Sequence, residues 1–551
     1  MPRSLHPYPE HTLLDVLAQT AREVPEHPSL LFKGARVTAA ELWLHSDAFA
    51  RFLLAKGIGA GDRVALLLPN CPQVVIATLG AWKVGAVVAP FNPIYGDHEL
   101  TKPLADTQAR LIVALTPFYE RVKRIQNETA VETVVAANVK EHLPLGLRVL
   151  FTLFKEKREG HRIALRAGDV AFPEALRAPG TAPLAAAKPD DTAFILLSGG
   201  TTGTPKGVVV PHRGLVQAAC QLRAWLGPRI VAGQDRILLP LPFFHGFGCI
   251  ATFGQALVGR NPLALVPNPR DIPDLVATIR RERPAFFVGV PTLYNALVNH
   301  PDVGSGRADF RSVRWCVSGA APLLLETRRR FEALTGGRLV EGYSLTEAVI
   351  AAVVTPLGHG GKPGSVGTPL PDVDLRIVDA ETGLRELPSG EVGEVLLQAP
   401  QIMPGYFDNP VETSLALRRH ADGAVWLHTG DLGYMDADGF LFLVDRKKEL
   451  MKISGLQVWP REIEEVVATH PAVAEVAVAG IPDPDRGEVA KAWVVLREGG
   501  RLDLEELRAY CRLRLAPFKV PAQLELRRDL PKSLVGKVLR RVLIDEDRAR
   551  R

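Results

Sequence analysis

The sequence predicts an α/β protein with a large N-terminal part and a small, separate α+β domain at the C-terminus. The large part should hold two mixed or parallel sheets with flanking helices, plus a small β-barrel. Three observations predict this. Short apolar runs alternate with helical patterns over residues 12–135 and again over 192–375, as when strands are joined by crossover helices. Residues 390–444 change to short strands with Gly/Asp turns, such as Asp436-Ala437-Asp438-Gly439. Beyond Asp445-Arg446-Lys447-Lys448 the pattern breaks, and the roughly hundred remaining residues are enough for an independent domain. The expected domains are therefore 1–444 and 445–551.

Taken in order, residues 63–68 and 111–115 are apolar runs that read as buried strands. The most apolar window, Val74 to Phe91, contains Gly80, Lys83 and Gly85 and closes with Pro90-Phe91. A buried helix followed by a strand explains it better than a membrane span, which needs about 20 apolar residues. Residues 171–191 are rich in Ala and Pro and read as an irregular connection. Runs 194–197 and 208–210 read as strands on either side of a polar loop. In the C-terminal part a helix starts at Pro460, with Glu462, Glu464 and Glu465 where the helix dipole favours acids. Strands at 473–479 and 492–496, a helix from Leu504 and a basic terminal helix complete it. There are no internal repeats and no low-complexity tract.

Composition narrows the class. The chain has 551 residues, 47% hydrophobic and 23% charged, which is a soluble globular balance. Its five cysteines (Cys71, Cys220, Cys249, Cys316, Cys511) are far apart and form no CxxC. That argues against a zinc site or a disulfide framework and fits a reducing compartment. Residues 1–10 have no apolar core, so no signal peptide is expected. The net charge of +5 is too slight to imply nucleic acid. Between Arg148 and Arg166 six basic residues stand against two Glu, overlapping Leu147, Val149, Leu150, Phe151, Leu153 and Phe154. Either this is an amphipathic helix with its apolar face buried in the protein, or it is a contact for a membrane surface.

The most informative segment is Ser198-Gly199-Gly200-Thr201-Thr202-Gly203-Thr204-Pro205-Lys206-Gly207. Eight of its ten residues are Gly, Ser or Thr, so it has little side chain to bury and much backbone freedom to lose. It offers backbone N–H groups, three threonine hydroxyls and one lysine, the parts of a phosphate cradle. It is not a Walker A loop, because Pro205-Lys206-Gly207 opens a strand rather than a helix.

At these ten residues the chain resembles the adenylate-forming superfamily: acyl-CoA synthetases, firefly luciferase and peptide-synthetase adenylation domains. Further motifs follow in family order. On its own His245, in Leu239-Pro240-Leu241-Pro242-Phe243-Phe244-His245-Gly246, reads as a satisfied core histidine. The resemblance makes it part of the carboxylate-substrate pocket with Val288, Gly289 and Pro291. Phe247-Gly248-Cys249 stand where long-chain enzymes of the superfamily can carry a gating tryptophan. Ser318-Gly319-Ala320-Ala321-Pro322 matches the adenine wall. Glu341-Gly342-Tyr343-Ser344-Leu345-Thr346-Glu347 matches the adenylate motif. There Tyr343 can stack on adenine, Thr346 can bond a phosphate oxygen and Glu347 can supply a hard oxygen for Mg²⁺. Trp426-Leu427-His428-Thr429-Gly430-Asp431 places Asp431 on the ribose diol, for which a pure acceptor is suited.

Asp445 is then the hinge and Arg446 lies near the ribose, while Lys452, Ser454 and Gly455 line the CoA thiol tunnel. Leu530-Pro531-Lys532-Ser533-Leu534-Val535-Gly536-Lys537 makes Lys537 the catalytic lysine. Residues 92–95, 140–165 and 531–546 are most like bacterial long-chain fatty acid–CoA ligases. The resemblance implies a mobile C-terminal domain and two half-reactions: a fatty carboxylate and MgATP give acyl-AMP and pyrophosphate, then CoA gives acyl-CoA and AMP. Expected partners are ATP, a medium- or long-chain fatty acid and CoA, with Mg²⁺ as cofactor and a homodimer allowed. The expected location is the cytoplasm, with residues 147–166 as the candidate contact at the inner membrane surface. Alternatives are a ligase for aromatic or shorter acids, or a fatty acyl-AMP ligase serving a carrier protein.

Overall fold

A computed structural model describes residues 2–177, 187–198, 205–321, 323, 325–358, 361–454, 456–484, 486–533 and 536–550, excepting the side chains of residues 448 and 457. The described chain divides into two compact units. The first comprises residues 1–361, 369–374 and 398–418; the second comprises 362–368, 375–397 and 419–551. This division does not fall at residue 444. The short strands of the 390–444 region are shared between the units, most of them going with the C-terminal one.

The first unit holds two large sheets. One has seven described strands in the order 170–171, 133–137, 111–115, 63–67, 87–90, 192–198, 206–211. Its pairings are parallel except the last, where Thr192–Ser198 and Lys206–Pro211 run antiparallel. The apolar window read as helix plus strand is helix Pro72–Trp82 and strand Val87–Pro90, every residue of both buried. Trp82 anchors this layer: its indole N–H donates to the Ala193 carbonyl at 2.9 Å, and its ring meets Phe194 and His212 edge-on. No described helix is long and apolar enough to cross a membrane.

The second sheet of this unit runs Val353–Val354, Arg338–Tyr343, Trp315–Ser318, Phe286–Gly289, Ile237–Leu239, Leu263–Leu265, Pro28–Phe32, Ala35–Thr38. Five neighbouring pairs within it are parallel. Their C-terminal ends open together, which is where α/β sheets carry ligands. A buried asparagine fixes the loop after Leu239. Asn70 donates to the carbonyls of Leu239 and Leu241 at 3.1 and 2.9 Å and accepts from the Phe243 N–H at 2.8 Å.

In the second unit Gly393–Gln398, Val425–Met435 and Leu441–Arg446 pair antiparallel. Beyond them, Val473–Asp483 and Gly487–Leu496 form a long antiparallel pair, with Gln523–Arg527 added in parallel. Helices Pro460–Ala468, Leu504–Arg512 and Arg540–Arg550 are those expected from the sequence. Fully buried Trp493 sits in one of this unit's apolar clusters, with Leu530 and Leu543.

The helix Leu145–Phe154 departs from the first of the two readings offered above. Of its large apolar side chains only Phe151 is buried; Leu145, Leu147, Val149, Leu150, Leu153 and Phe154 are all exposed. The apolar face is not used for packing within the described chain.

Asn70→Leu should destabilise the first unit by about 2–4 kcal/mol, because three buried backbone groups lose their partner at about 1–3 kcal/mol each, partly offset by relaxation. The check is the unfolding midpoint in denaturant; an unchanged midpoint would mean that the 239–243 loop is held by something other than this amide.

Candidate active site

The polar loop residues Gly199, Gly200, Thr201, Thr202, Gly203 and Thr204 lie outside the described residues, but both flanks are defined. Ser198 and Lys206 are register partners, and the Ser198 hydroxyl lies 3.4 Å from the Lys206 carbonyl. A third segment joins this pair: the Phe407 N–H donates to the Gly207 carbonyl at 2.7 Å and the Val209 N–H to the Gly405 carbonyl at 3.1 Å. This sets the Lys206 ammonium 5.2 Å from the centre of the Tyr406 ring and in an ion pair with Glu412. The Tyr406 hydroxyl in turn donates to Glu347 Oε1 at 2.9 Å, while the Met403 N–H donates to the Glu347 carbonyl at 2.9 Å. Burial, with Glu347 and Glu412 nearby, pushes the Tyr406 phenol far up, so it stays a donor.

Glu347 sits in a single helical turn, Thr346–Ala348, directly after the strand carrying Glu341, Gly342 and Tyr343. Val349 and Ile350 follow with φ of 49° and 58°. Two consecutive β-branched residues in the left-handed region are outliers, and such strain persists only where surroundings over-determine it. Here the Val349 N–H bonds the Thr346 carbonyl at 3.0 Å and the Ile350 N–H bonds the Leu345 carbonyl at 3.1 Å, with both residues buried. The Ser344 hydroxyl lies 3.4 Å from the carbonyl of its neighbour Leu345.

Gly319 and Gly289 are glycines because aromatic rings lie against their backbone. A Cβ at Gly319 would come within 2.5 Å of the Phe247 ring, and one at Gly289 within 2.8 Å of Tyr294. The Tyr294 hydroxyl donates to the Val317 carbonyl at 2.9 Å, tying the helix Pro291–Val298 to the strand Trp315–Ser318. Ala320 takes φ 68° immediately after Gly319, with Ala321 next in the same turn. The Leu323 N–H reaches Glu341 Oε2 at 3.3 Å. Pro291 opens the helix Pro291–Val298.

Behind these elements is a small, mainly apolar cavity of about 30 Å³, room for about two water-sized groups. Leu222, Trp225, Leu226, Phe247, Ala251, Phe286, Val288, Val317, Ile350, Val353 and Val354 supply its apolar lining, joined by Gly342, Tyr343, Ser344 and Gln255. Of the pocket residues expected from the sequence, Val288 lines it, whereas His245, Gly289 and Pro291 are not among the lining side chains. His245 Nδ1 accepts from the Phe247 N–H at 3.3 Å, and burial pushes the imidazole down to about 4, leaving it neutral. Phe247, Gly248 and Cys249 belong to a buried, wide-pitched helical stretch, Phe247–Gly254. Such π-helical turns are frequent at functional sites.

The second unit gathers a separate set of groups. Asp431 and Arg446 are register partners, with Arg446 Nε 3.1 Å from Asp431 Oδ1. The turn before Asp431 is held by the Gly430 N–H on Glu394 Oε1 at 3.2 Å, and Lys447 pairs with the same carboxylate at 3.1 Å. Lys537 lies in a tight loop closed by the Ser533 N–H on the Lys537 carbonyl at 2.8 Å and the Lys537 N–H on the Ser533 hydroxyl at 3.2 Å. Burial, then the charge of Arg446, pushes its amine down to about 8 against the pull of Asp431 and Asp445.

Asp445 accepts from the Arg446 N–H at 2.7 Å and from the Arg461 N–H, in the first turn of helix Pro460–Ala468, at 3.0 Å. Lys452 is anchored by its N–H on Glu488 at 2.7 Å, and Ser454 takes φ 52° with its N–H on the Arg486 carbonyl at 2.8 Å. Gly455 lies outside the described residues. Sequence reasoning missed Tyr406, Glu412 and Gln255. The Gly405-Tyr406-Phe407 turn was the one available signal for the first, and nothing local marks the other two.

Comparison with known proteins gives the family of the chain. Residues 17–407 match the AMP-binding enzyme family and residues 462–537 match the AMP-binding enzyme C-terminal domain. The chain is 37% identical over 544 residues to a long-chain-fatty-acid–CoA ligase of Bacillus subtilis (strain 168), covering 98% of this chain and 95% of that protein. It is 35% identical over 561 residues to the long-chain-fatty-acid–CoA ligase of Escherichia coli O6:H1, covering 100% and 97%. Among solved structures, ATP-bound MatB from Rhodopseudomonas palustris superposes with a TM-score of 0.82 at 29% identity, covering 97% of this chain and 98% of that one. With family matches over most of its length and its motif residues on the ends of adjoining strands, this chain belongs to the AMP-binding, adenylate-forming enzymes.

Proposed function

We propose that the protein is an AMP-forming acid–thiol ligase that activates a medium- or long-chain fatty acid to its CoA thioester. The observation that carries the reading is the apolar pocket behind Gly342-Tyr343-Ser344, whose described lining has no charged residue, in a chain related along its length to long-chain-fatty-acid–CoA ligases. In the first step a carboxylate oxygen attacks the α-phosphorus of ATP and the bond to pyrophosphate breaks. In the second the thiol of CoA attacks the acyl carbon and AMP leaves.

The first step joins two anions, so cations must oppose their repulsion. Lys206 and Lys537 are the candidates, with residues 198–204 cradling phosphates and Gly319, Ala320, Ala321, Glu341, Tyr343 and Ser344 forming the adenine side. Asp431 and Arg446 take the ribose. Glu347 fits Mg²⁺: it is a half-exposed carboxylate with one oxygen steadied by Tyr406, and Mg²⁺ is usually held by one or two carboxylates plus substrate phosphates. Glu347 would hold the ion, which when bound neutralises phosphate charge, and Thr346 would bond a phosphate oxygen. Asp445 serves as the pivot residue, and Lys452, Ser454 and Gly455 line the thiol path. The neutral His245 positions its neighbours rather than supplying charge.

The reading extends to a membrane surface. Leu145 is 76% exposed, Leu153 70% and Phe154 69%, and Arg148, Lys155, Lys157, Arg158, Arg162 and Arg166 lie on or just after the same helix. Apolar side chains beside cations suit peripheral insertion into an anionic leaflet, at about 1 kcal/mol per basic residue near the surface.

Four outcomes test these assignments. Lys537→Ala should lower acid-dependent pyrophosphate exchange by about 10²–10³ while sparing thioester formation from supplied acyl-AMP. In the parent enzyme kcat/KM for adenylation should fall as pH rises through about 8, where Lys537 loses its proton; equal losses in both half-reactions would remove Lys537 from the first transition state. Glu347→Gln should cut turnover by about 10- to 100-fold and raise the Mg²⁺ concentration needed, with the fold retained; an unmoved Mg²⁺ titration would take Glu347 out of the metal site. The protein should cosediment with anionic phosphatidylserine vesicles, less so at high salt, and Leu153→Glu with Phe154→Glu should weaken binding at least about tenfold. Binding that the double variant leaves intact would rule out this helix.

A further inference from the structure

Inside the apolar pocket one side chain does not match its surroundings. Gln255 is fully buried and lines the pocket. Both ends of its amide, Nε2 and Oε1, lack a hydrogen-bond partner among the described residues. The other polar groups of the lining are committed: the Trp225 indole N–H donates to the Thr355 carbonyl at 3.1 Å, and the Ser344 hydroxyl lies 3.4 Å from the Leu345 carbonyl. Gln255 follows the wide-pitched helical stretch Phe247–Gly254, so a glutamine there faces the same space as Phe247 and Ala251. Its backbone is satisfied, with its carbonyl accepting from the Gly259 N–H at 3.0 Å.

Buried polar groups in native proteins are nearly always paired, and an amide with both ends free in an apolar wall is costly. A Leu or Met at this position would fill the same space without that cost. A hydrogen-bonding group that enters with the ligand would satisfy both ends.

Resting on the reading of this pocket as the acyl site, we propose that Gln255 is a specificity residue for a fatty acid bearing a hydroxyl on its chain. A hydroxyl matches the amide at both ends: its oxygen accepts from Nε2–H and its O–H donates to Oε1. A keto group would satisfy Nε2 alone, and an unsubstituted chain neither. A site that hydrogen-bonds a substrate hydroxyl discriminates strongly against the analogue lacking it, whereas a purely apolar pocket separates the two weakly.

The test is AMP release in the presence of CoA, using hexadecanoic acid and a positional series of monohydroxyhexadecanoic acids, with the parent enzyme, Gln255→Met and Gln255→Leu. Nucleotide affinity measured in the absence of acid reports that each variant is folded. The expected result is that at least one positional isomer exceeds hexadecanoate in kcat/KM by about tenfold or more. Either variant should abolish that ratio, with the loss falling on the hydroxylated isomer. Turnover of hexadecanoate with no hydroxylated isomer preferred, or a preference that both folded variants retain, overturns the Gln255 subsite and leaves the ligase reading standing. No turnover of any acid by the parent enzyme overturns both.

Discussion

The backbone pairing of residues 405–407 with the strand Lys206–Pro211 is the constraint on which the N-terminal site depends. Two hydrogen bonds, Phe407 to Gly207 and Val209 to Gly405, bring a segment about two hundred positions away in sequence against the end of the polar loop. Once they form, Lys206 is fixed between Tyr406 and Glu412, and Tyr406 carries the linkage on to Glu347. A cation for phosphate and a carboxylate for a metal are thereby held on one framework by backbone geometry. Long side chains alone could not hold that spacing, since each loses rotamer freedom when ordered.

The strain at Val349 and Ile350 belongs to the same framework. Their left-handed backbone turns the chain sharply after Glu347, so that its carboxylate meets Tyr406 while Ile350 falls back into the pocket wall. A relaxed turn would separate these two duties. The neighbouring strand ends show a related economy: Gly319 and Gly289 carry no side chain because Phe247 and Tyr294 occupy that space. The glycines read from sequence as points of close approach are so, and what approaches them is protein.

In the C-terminal unit, burial is the dominant electrostatic influence. Lys537 is taken out of water beside Arg446, and both effects weaken its hold on a proton. Asp431 and Asp445 restrain that shift and keep the amine cationic near neutrality. The result is a lysine that an incoming anion would strengthen as a cation, which suits a group used when phosphate charge is present.

The sequence by itself determined the alternation of strands and helices, the strands that flank the loop at 198 and 206, the helices from Pro460 and Leu504, and a basic terminal helix. These signals are local: apolar periodicity, Gly/Pro punctuation and short motifs are written in neighbouring residues. Tertiary structure alone decided that Tyr406 and Glu412 join Lys206, that His245 stays off the pocket lining, that Gln255 is left unpaired within it, and that the Leu145–Phe154 helix keeps its apolar face outward. Each depends on which distant segment packs against which, and amphipathic periodicity is the same whether the apolar face meets protein or solvent. Partners chosen by strand order and burial leave no trace in the residues beside them.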